Sequence, residues 1–355
     1  MRILSLVVFA VTVLVDPVST VCGQGKRSSA QYRQAMRLLR SARTTRDATK
    51  RNKQIDRAQR LLEQFVADNS KHPEFAQANT ELGGILYGKA RVDVWQSEAA
   101  KDVQRKTEYR RQARRLLAAA RGHYQIARDL FQQQWQEFPA FIDRKANPDK
   151  FAARYKAEVN YIRIQLRLPF CDYVESHTYD ENDPEFKKLL EKAASAFEQL
   201  HTKYRSQIGG LYAQLWRAKC LEETGNIRKA LDVYNELLQH SDPPPALRTL
   251  QDRARHFRLI CLNHDQRKEY LLVIHEAEEW LETAQDRPKT STGLGIRWEL
   301  ARAQERRSKQ ADVSPAEQRQ LRQRALKNAR QIARYPGRYK AAASAMIARL
   351  STDRK

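Results

Sequence analysis

Residues that bend, stiffen or crosslink a backbone are scarce in this chain. Twelve glycines and twelve prolines are spread over 355 residues. Runs of Val, Ile and Thr in period-two alternation are nearly absent beyond the first 21 positions. These absences exclude an architecture of many short strands joined by tight turns. The four cysteines are Cys22, Cys171, Cys220 and Cys261; removing residues 1–23 as a signal peptide leaves three, an odd number that gives no disulfide framework. The last three sit in apolar, helix-like contexts such as Leu168-Pro169-Phe170-Cys171, which predicts buried thiols; one bridged pair in an oxidising compartment stays open. The apolar run at residues 3–15 is too short to span a bilayer, which takes roughly 18 residues or more.

Catalytic signatures are missing too. The sequence holds no Gly-x-Ser-x-Gly elbow, no glycine loop for phosphates and no Cys-x-x-Cys pair. In His275-Glu276-Ala277-Glu278-Glu279, Glu279 stands where a zinc-protease helix needs its second histidine, one turn from the first. A solvated helix face is the better reading. Acidic pairs such as Glu222-Glu223 and Glu278-Glu279 are adjacent and point about 100° apart on a helix, so they do not converge as acid and base. The expectation is a non-enzymatic chain with no catalytic residues, no metal ligands and no cofactor.

What remains is a chain of helix formers. Ala, Leu, Gln, Arg, Glu and Lys dominate, and an apolar fraction of 41% beside 30% charged residues argues against wholesale disorder. At the start, Arg2 precedes the apolar run, Asp16-Pro17 breaks it, and small residues follow to Gly23. This pattern predicts a signal peptide over 1–23 and an exported chain over 24–355, periplasmic, on the cell surface or secreted, with no transmembrane span after cleavage. It suits a bacterial source. Lys26, Arg27, Arg33 and Arg37 oppose translocation; the alternative is an uncleaved anchor, which the short run disfavours. Val21 before Cys22 argues against lipidation.

Prolines mark helix ends at His72-Pro73, Phe138-Pro139, Asp183-Pro184, Asp242-Pro243, Arg287-Pro288, Ser314-Pro315 and Tyr335-Pro336. Between them apolar residues recur at spacings of three and four. Helices are expected near 28–46, 53–70, 74–104, 107–138, 148–176, 185–205, 208–224, 227–240, 246–263, 267–285, 294–310, 315–335 and 338–350. Short connections make successive helices antiparallel neighbours, and no long linker divides the chain, so it reads as a single continuous stack.

A frame recurs along it. Gly122, Ala127, Phe131 and Pro139 are spaced as Gly225, Ala230, Tyr234 and Pro243 are, with the last proline one residue late. Weaker copies are Leu61, Phe65 and Pro73, and Ala193, Phe197 and Leu200. Glycine eases the turn between paired helices, alanine permits close approach, and the aromatic one turn on fills the gap. On these residues the chain resembles the tetratricopeptide repeat, best over 107–139 and 208–243, with degenerate copies elsewhere. The resemblance implies an all-α protein, antiparallel helix pairs stacked as an α-solenoid. It also implies a scaffold that holds a protein or peptide partner in a groove lined by the first helix of each pair. In the best unit Tyr212, Lys219, Glu222 and Glu223 then face the ligand. The aromatic stripe Tyr124, Phe131, Trp135 and Phe138 is read as core packing.

Charge is the other feature above background. Residues 26–60 hold 12 basic and 2 acidic side chains, and residues 297–355 hold 16 and 5. On a helix from Pro315, Arg319, Arg324, Lys327, Arg330 and Arg334 fall within an arc of about 140°, opposite Leu321, Ala325, Ala329 and Ile332. Polar caps of a helical array account for polarity but not for a single sign, and such self-repulsion calls for an anion. Anionic polysaccharide, lipid head groups or an acidic protein segment fit. Nucleic acid fits the charge as well, but is the less natural ligand for an exported chain.

Overall fold

The computed structural model describes residues 30–239 and 244–352. The expected signal peptide, Lys26, Arg27 and the helix end expected at Asp242-Pro243 lie outside them. Every described element is helical; no strand occurs among the described residues. The chain divides into two compact units between Arg205 and Ser206. The first holds α1 (Ala30–Thr44), α2 (Ala48–Asp68), α3 (Phe75–Ala99), α4 (Val103–Gln136), α5 (Pro148–Ser176) and α6 (Pro184–Lys203). The second holds α7 (Ile208–Glu223), α8 (Ile227–Leu238), α9 (Pro245–Leu262), α10 (Tyr270–Thr283), α11 (Ser291–Arg307), α12 (Pro315–Ala333) and α13 (Tyr339–Thr352), with a single 3₁₀ turn at Arg287–Lys289.

Each of these thirteen helices lies on one expected segment, and the two largest departures have a common cause. Helix α2 starts at Ala48, not 53, because the Asp47 carboxylate accepts the Lys50 amide at 2.6 Å. Helix α3 stops at Ala99, not 104, because Asp102 caps the next helix through the Arg105 amide at 2.7 Å. A capping aspartate satisfies amides that the first turn leaves orphaned. Asp183, Thr290 and Ser314 cap α6, α11 and α12 in the same way.

In the first unit each helix packs on the next, and α3 also meets α5. In the second unit the odd-numbered helices touch in sequence, α7 to α9 to α11 to α13, and each even-numbered helix packs against the two odd ones that flank it. The small-plus-aromatic frame is core. Ala127, Ala193, Ala230, Phe65, Phe197 and Tyr234 are fully buried and Phe131 nearly so, each large side chain contributing roughly 1.5–3 kcal/mol of burial. Tyr124 and Phe131 of the aromatic stripe are buried, while Trp135 is half-buried and stacks on Tyr161. Cys171, Cys220 and Cys261 are buried free thiols.

The two frame glycines behave differently. Gly225 has φ +84°; its amide donates to Glu222 O at 3.0 Å and the Asn226 amide donates to Leu221 O at 2.8 Å. That pair of bonds is the Schellman ending of α7, which glycine adopts without steric cost. Gly122 instead lies inside α4. Residues 107–139 are therefore mostly one long helix, and Gly122 makes no interhelical turn.

Candidate functional site: exposed basic helix faces

The four positions expected to face a ligand are on α7, and three of them point inward. Lys219 sits where α7 meets α8 and α9, its side chain 1% exposed. Its ammonium lies 2.5 Å from Glu222 Oε1, 3.2 Å from Glu223 Oε1 and 5.0 Å from the Phe257 ring centre. The Tyr234 hydroxyl of α8 donates to the other Glu222 oxygen at 3.0 Å. Burial alone pulls the Lys219 ammonium down, but Glu222 and Glu223 outweigh it and hold the lysine charged, above its usual range. Burial pushes Glu222 up, with Lys219 pulling the other way. Lys219, Glu222 and Glu223 thus form an internal ion cluster and line no open groove. The correction has a simple origin: α7 is covered by α8 and α9 on the side where this stripe lies. Tyr212 is half-buried, its phenol pushed up by burial against the Arg253 charge.

The basic face of α12 is different. Leu321, Ala325, Ala329 and Ile332 are buried, the last three packing with Leu294, Trp298, Tyr339 and Met346. Arg319, Lys327, Arg330 and Arg334 are exposed and span about 80° of arc at 100° per residue. None of the four has an ion-pair partner among the described residues. Arg324, at the edge of the arc, is tied to Glu278 of α10. Lys327, Arg330 and Arg334 line a shallow depression of about 450 Å³ together with Gln323, Leu326 and Gln331.

A second basic surface lies on α1 and α2, which pack on each other. Arg33, Arg37 and Arg40 stand at i, i+4 and i+7, and Lys50, Lys53, Arg57 and Arg60 fall within about 80°. All seven are exposed, and none is ion-paired among the described residues. The nearby acids are engaged elsewhere: Asp47 caps α2, and Asp56 binds Lys89 at 2.7 Å. Counting charge over 26–60 located this region; the spacing within each helix, equally readable, marks the two stripes.

The remaining polar groups tie helices together. His275 is exposed, while Glu276 binds Arg258 of α9. His256 is buried against Tyr339, with Nε2 3.3 Å from the hydroxyl. Burial, then the surrounding Arg338, Lys219, Arg253 and Arg302, holds its imidazole well below the usual range, so it is neutral. Asn263 donates to Glu299 at 2.9 Å, and Glu299 is bound in turn by Arg302 at 2.8 Å. Among the described residues no three His, Cys, Asp or Glu side chains are placed to share a metal ion, and no described helix is long and apolar enough to cross a membrane. No family model matches this chain, and no curated protein matches its sequence.

Proposed function

We propose that the chain is an exported, non-catalytic scaffold of tetratricopeptide-like helix pairs that binds a polyanionic partner through its basic helix faces. The observation that carries this reading is that, among the described residues, no carboxylate pairs with the exposed cations Arg319, Lys327, Arg330 and Arg334 of α12 or with the seven of α1 and α2, although both units hold carboxylates that pair elsewhere. Like charges held side by side repel one another, and a protein with no use for them has no reason to keep them unneutralised. The alternation of odd and even helices in the second unit supports the tetratricopeptide-like pairing. The leader-like first 23 residues support export, which favours anionic polysaccharide or lipid head groups over nucleic acid.

The test is binding of a sulfated polysaccharide, and separately of vesicles containing anionic lipid, at two ionic strengths. Attachment through exposed charges weakens steeply between low and physiological salt, where the screening length falls to about 8 Å. Reversing Lys327, Arg330 and Arg334 to glutamate lowers affinity at least tenfold and leaves thermal stability within about 0.5 kcal/mol, as for surface substitutions generally. Binding that ignores both salt and the triple reversal removes the proposal.

A further inference from the structure

We propose that the outer face of α12 takes a single strand of an acidic polysaccharide, laid along the helix axis, with its anionic groups on the cations and its hydroxyls on the neighbouring glutamine amides. The site is the α12 face of the reading above, narrowed to one class of polyanion, and it rests on that reading. At 1.5 Å per residue, Arg319, Gln323, Lys327, Arg330 and Arg334 advance in steps of about 6, 6, 4.5 and 6 Å and share an arc of about 80°. The outward side of α12 is therefore one row about 22 Å long, with a polar head at nearly every turn, and not a broad patch.

Two members of this surface carry no charge. Gln323 is exposed within the row and Gln331 half-buried at its edge, and both line the depression of about 450 Å³ with Lys327, Arg330 and Arg334. Neither carboxamide makes a hydrogen bond among the described residues. Gln304 and Gln318, by contrast, donate to Glu278 and to the Val313 carbonyl. A side-chain amide offers two donors and an acceptor, which suits a sugar hydroxyl, itself both donor and acceptor. A chain of bare phosphates has acceptors alone and leaves half of that capacity unused. Cations interleaved with free amides thus fit a polymer that alternates anionic groups with hydroxyls.

The same face is poorly made for other polyanions. Helices that settle into a membrane surface sink Trp, Phe or Leu below the head groups. Helix α12 holds no aromatic residue, and its large apolar side chains Leu321, Leu326 and Ile332 are buried. Without aromatics it also lacks a stacking platform for the bases of a single-stranded nucleic acid. An acidic border runs beside it. Glu278 of α10 is held by Arg324 of α12 and by Gln304 of α11 at 3.1 Å, and the exposed Glu282 stands one turn further along the same side of α10. A flat anionic bilayer laid on α12 brings its charge up to this border, whereas one strand follows the cations and clears it.

The experiment uses the full chain at physiological salt, with anisotropy of fluorescein-labelled sulfated oligosaccharides of increasing length. Polyphosphate and vesicles containing anionic lipid compete at equal charge concentration. Affinity should rise steeply until the oligosaccharide covers about 22 Å and only slightly beyond. Gln323→Ala with Gln331→Ala should weaken the oligosaccharide three- to tenfold and leave polyphosphate within twofold, with helicity unchanged because both side chains project from the surface. Glu282→Gln should strengthen vesicle binding more than oligosaccharide binding. Suppose polyphosphate matches the oligosaccharide and the glutamine pair has no effect, or vesicles bind as tightly through Lys327, Arg330 and Arg334. Either result overturns the polysaccharide assignment and leaves the basic-face reading standing. Indifference to both the glutamine pair and the triple reversal removes the two together.

Discussion

Replacing Lys219 by alanine separates an internal ion cluster from a ligand-reading groove. The substitution leaves Glu222 and Glu223, side chains 8% and 11% exposed, facing each other beneath Phe257 without their cation. Removing one partner of a buried pair generally costs about 3–5 kcal/mol. Glu222 has an escape, because burial already pushes its carboxyl up and it can take up a proton. Neutralising a carboxyl whose ordinary value is 4.5 costs about 1.36 kcal/mol per pH unit, which limits the loss to roughly 3.4 kcal/mol at pH 7. The variant's Glu222 then titrates higher in the folded than in the unfolded chain, so its folded form strengthens as pH falls toward 4.5 and weakens as pH rises. The deficit relative to wild type should shrink to about 1 kcal/mol near pH 5. Urea denaturation of the full chain at pH 7 and pH 5 measures this, with hydrogen exchange over residues 208–262 assigning it to α7–α9. In a unit of this size the pH 7 loss lowers the melting temperature by about 7–14 °C. Lys219→Met with Glu222→Gln, which removes both charges, should recover most of the loss. A deficit under about 1 kcal/mol at pH 7, or one that does not shrink toward pH 5, refutes the reasoning.

Three further outcomes follow from named contacts. Gly295→Ala puts a Cβ 2.5 Å from His256 Nε2 and 2.8 Å from the Tyr339 hydroxyl; overpacking of this kind costs roughly 1–3 kcal/mol, measurable by the same urea titration. His256 is held neutral well below its ordinary 6.5, so the unfolded chain binds the extra proton first. Stability should therefore be insensitive to this group above pH 6.5 and fall below it, by up to about 1.4 kcal/mol per pH unit. Burial is the main cause, and the cations that add to it are Arg338 before α13, Lys219 on α7, Arg253 on its own helix and Arg302 on α11. His256→Asn should flatten that slope between pH 6.5 and 5 in a denaturation series. Gly225→Ala forces a Cβ into the left-handed region at φ +84° and should cost about 1 kcal/mol, seen as faster exchange at the end of α7.

Local chemistry determined much of this protein. Cap residues and prolines bound most of the helices, apolar spacing of three and four marks their buried faces, and a triplet such as Gly225, Ala230 and Tyr234 names a turn, a close approach and a filler. These are legible because each depends on neighbours within one or two turns of the same chain. The basic face of α12 was legible for the same reason, since four cations on one arc opposite a core stripe leave only one orientation.

Tertiary structure decided the rest. Whether a charged residue on α7 meets water or a neighbour depends on α8 and α9, which arrive from later in the chain, and they convert Lys219, Glu222 and Glu223 from surface positions into an internal cluster. Arg324 leaves the basic face because Glu278, 46 residues away, reaches it. Gly83 is required by the Tyr124 ring and Gly88 by no contact, yet the two lie five residues apart on one helix. Sequence spacing fixes the direction of a side chain relative to its own axis; only the packing of other helices fixes what that direction meets.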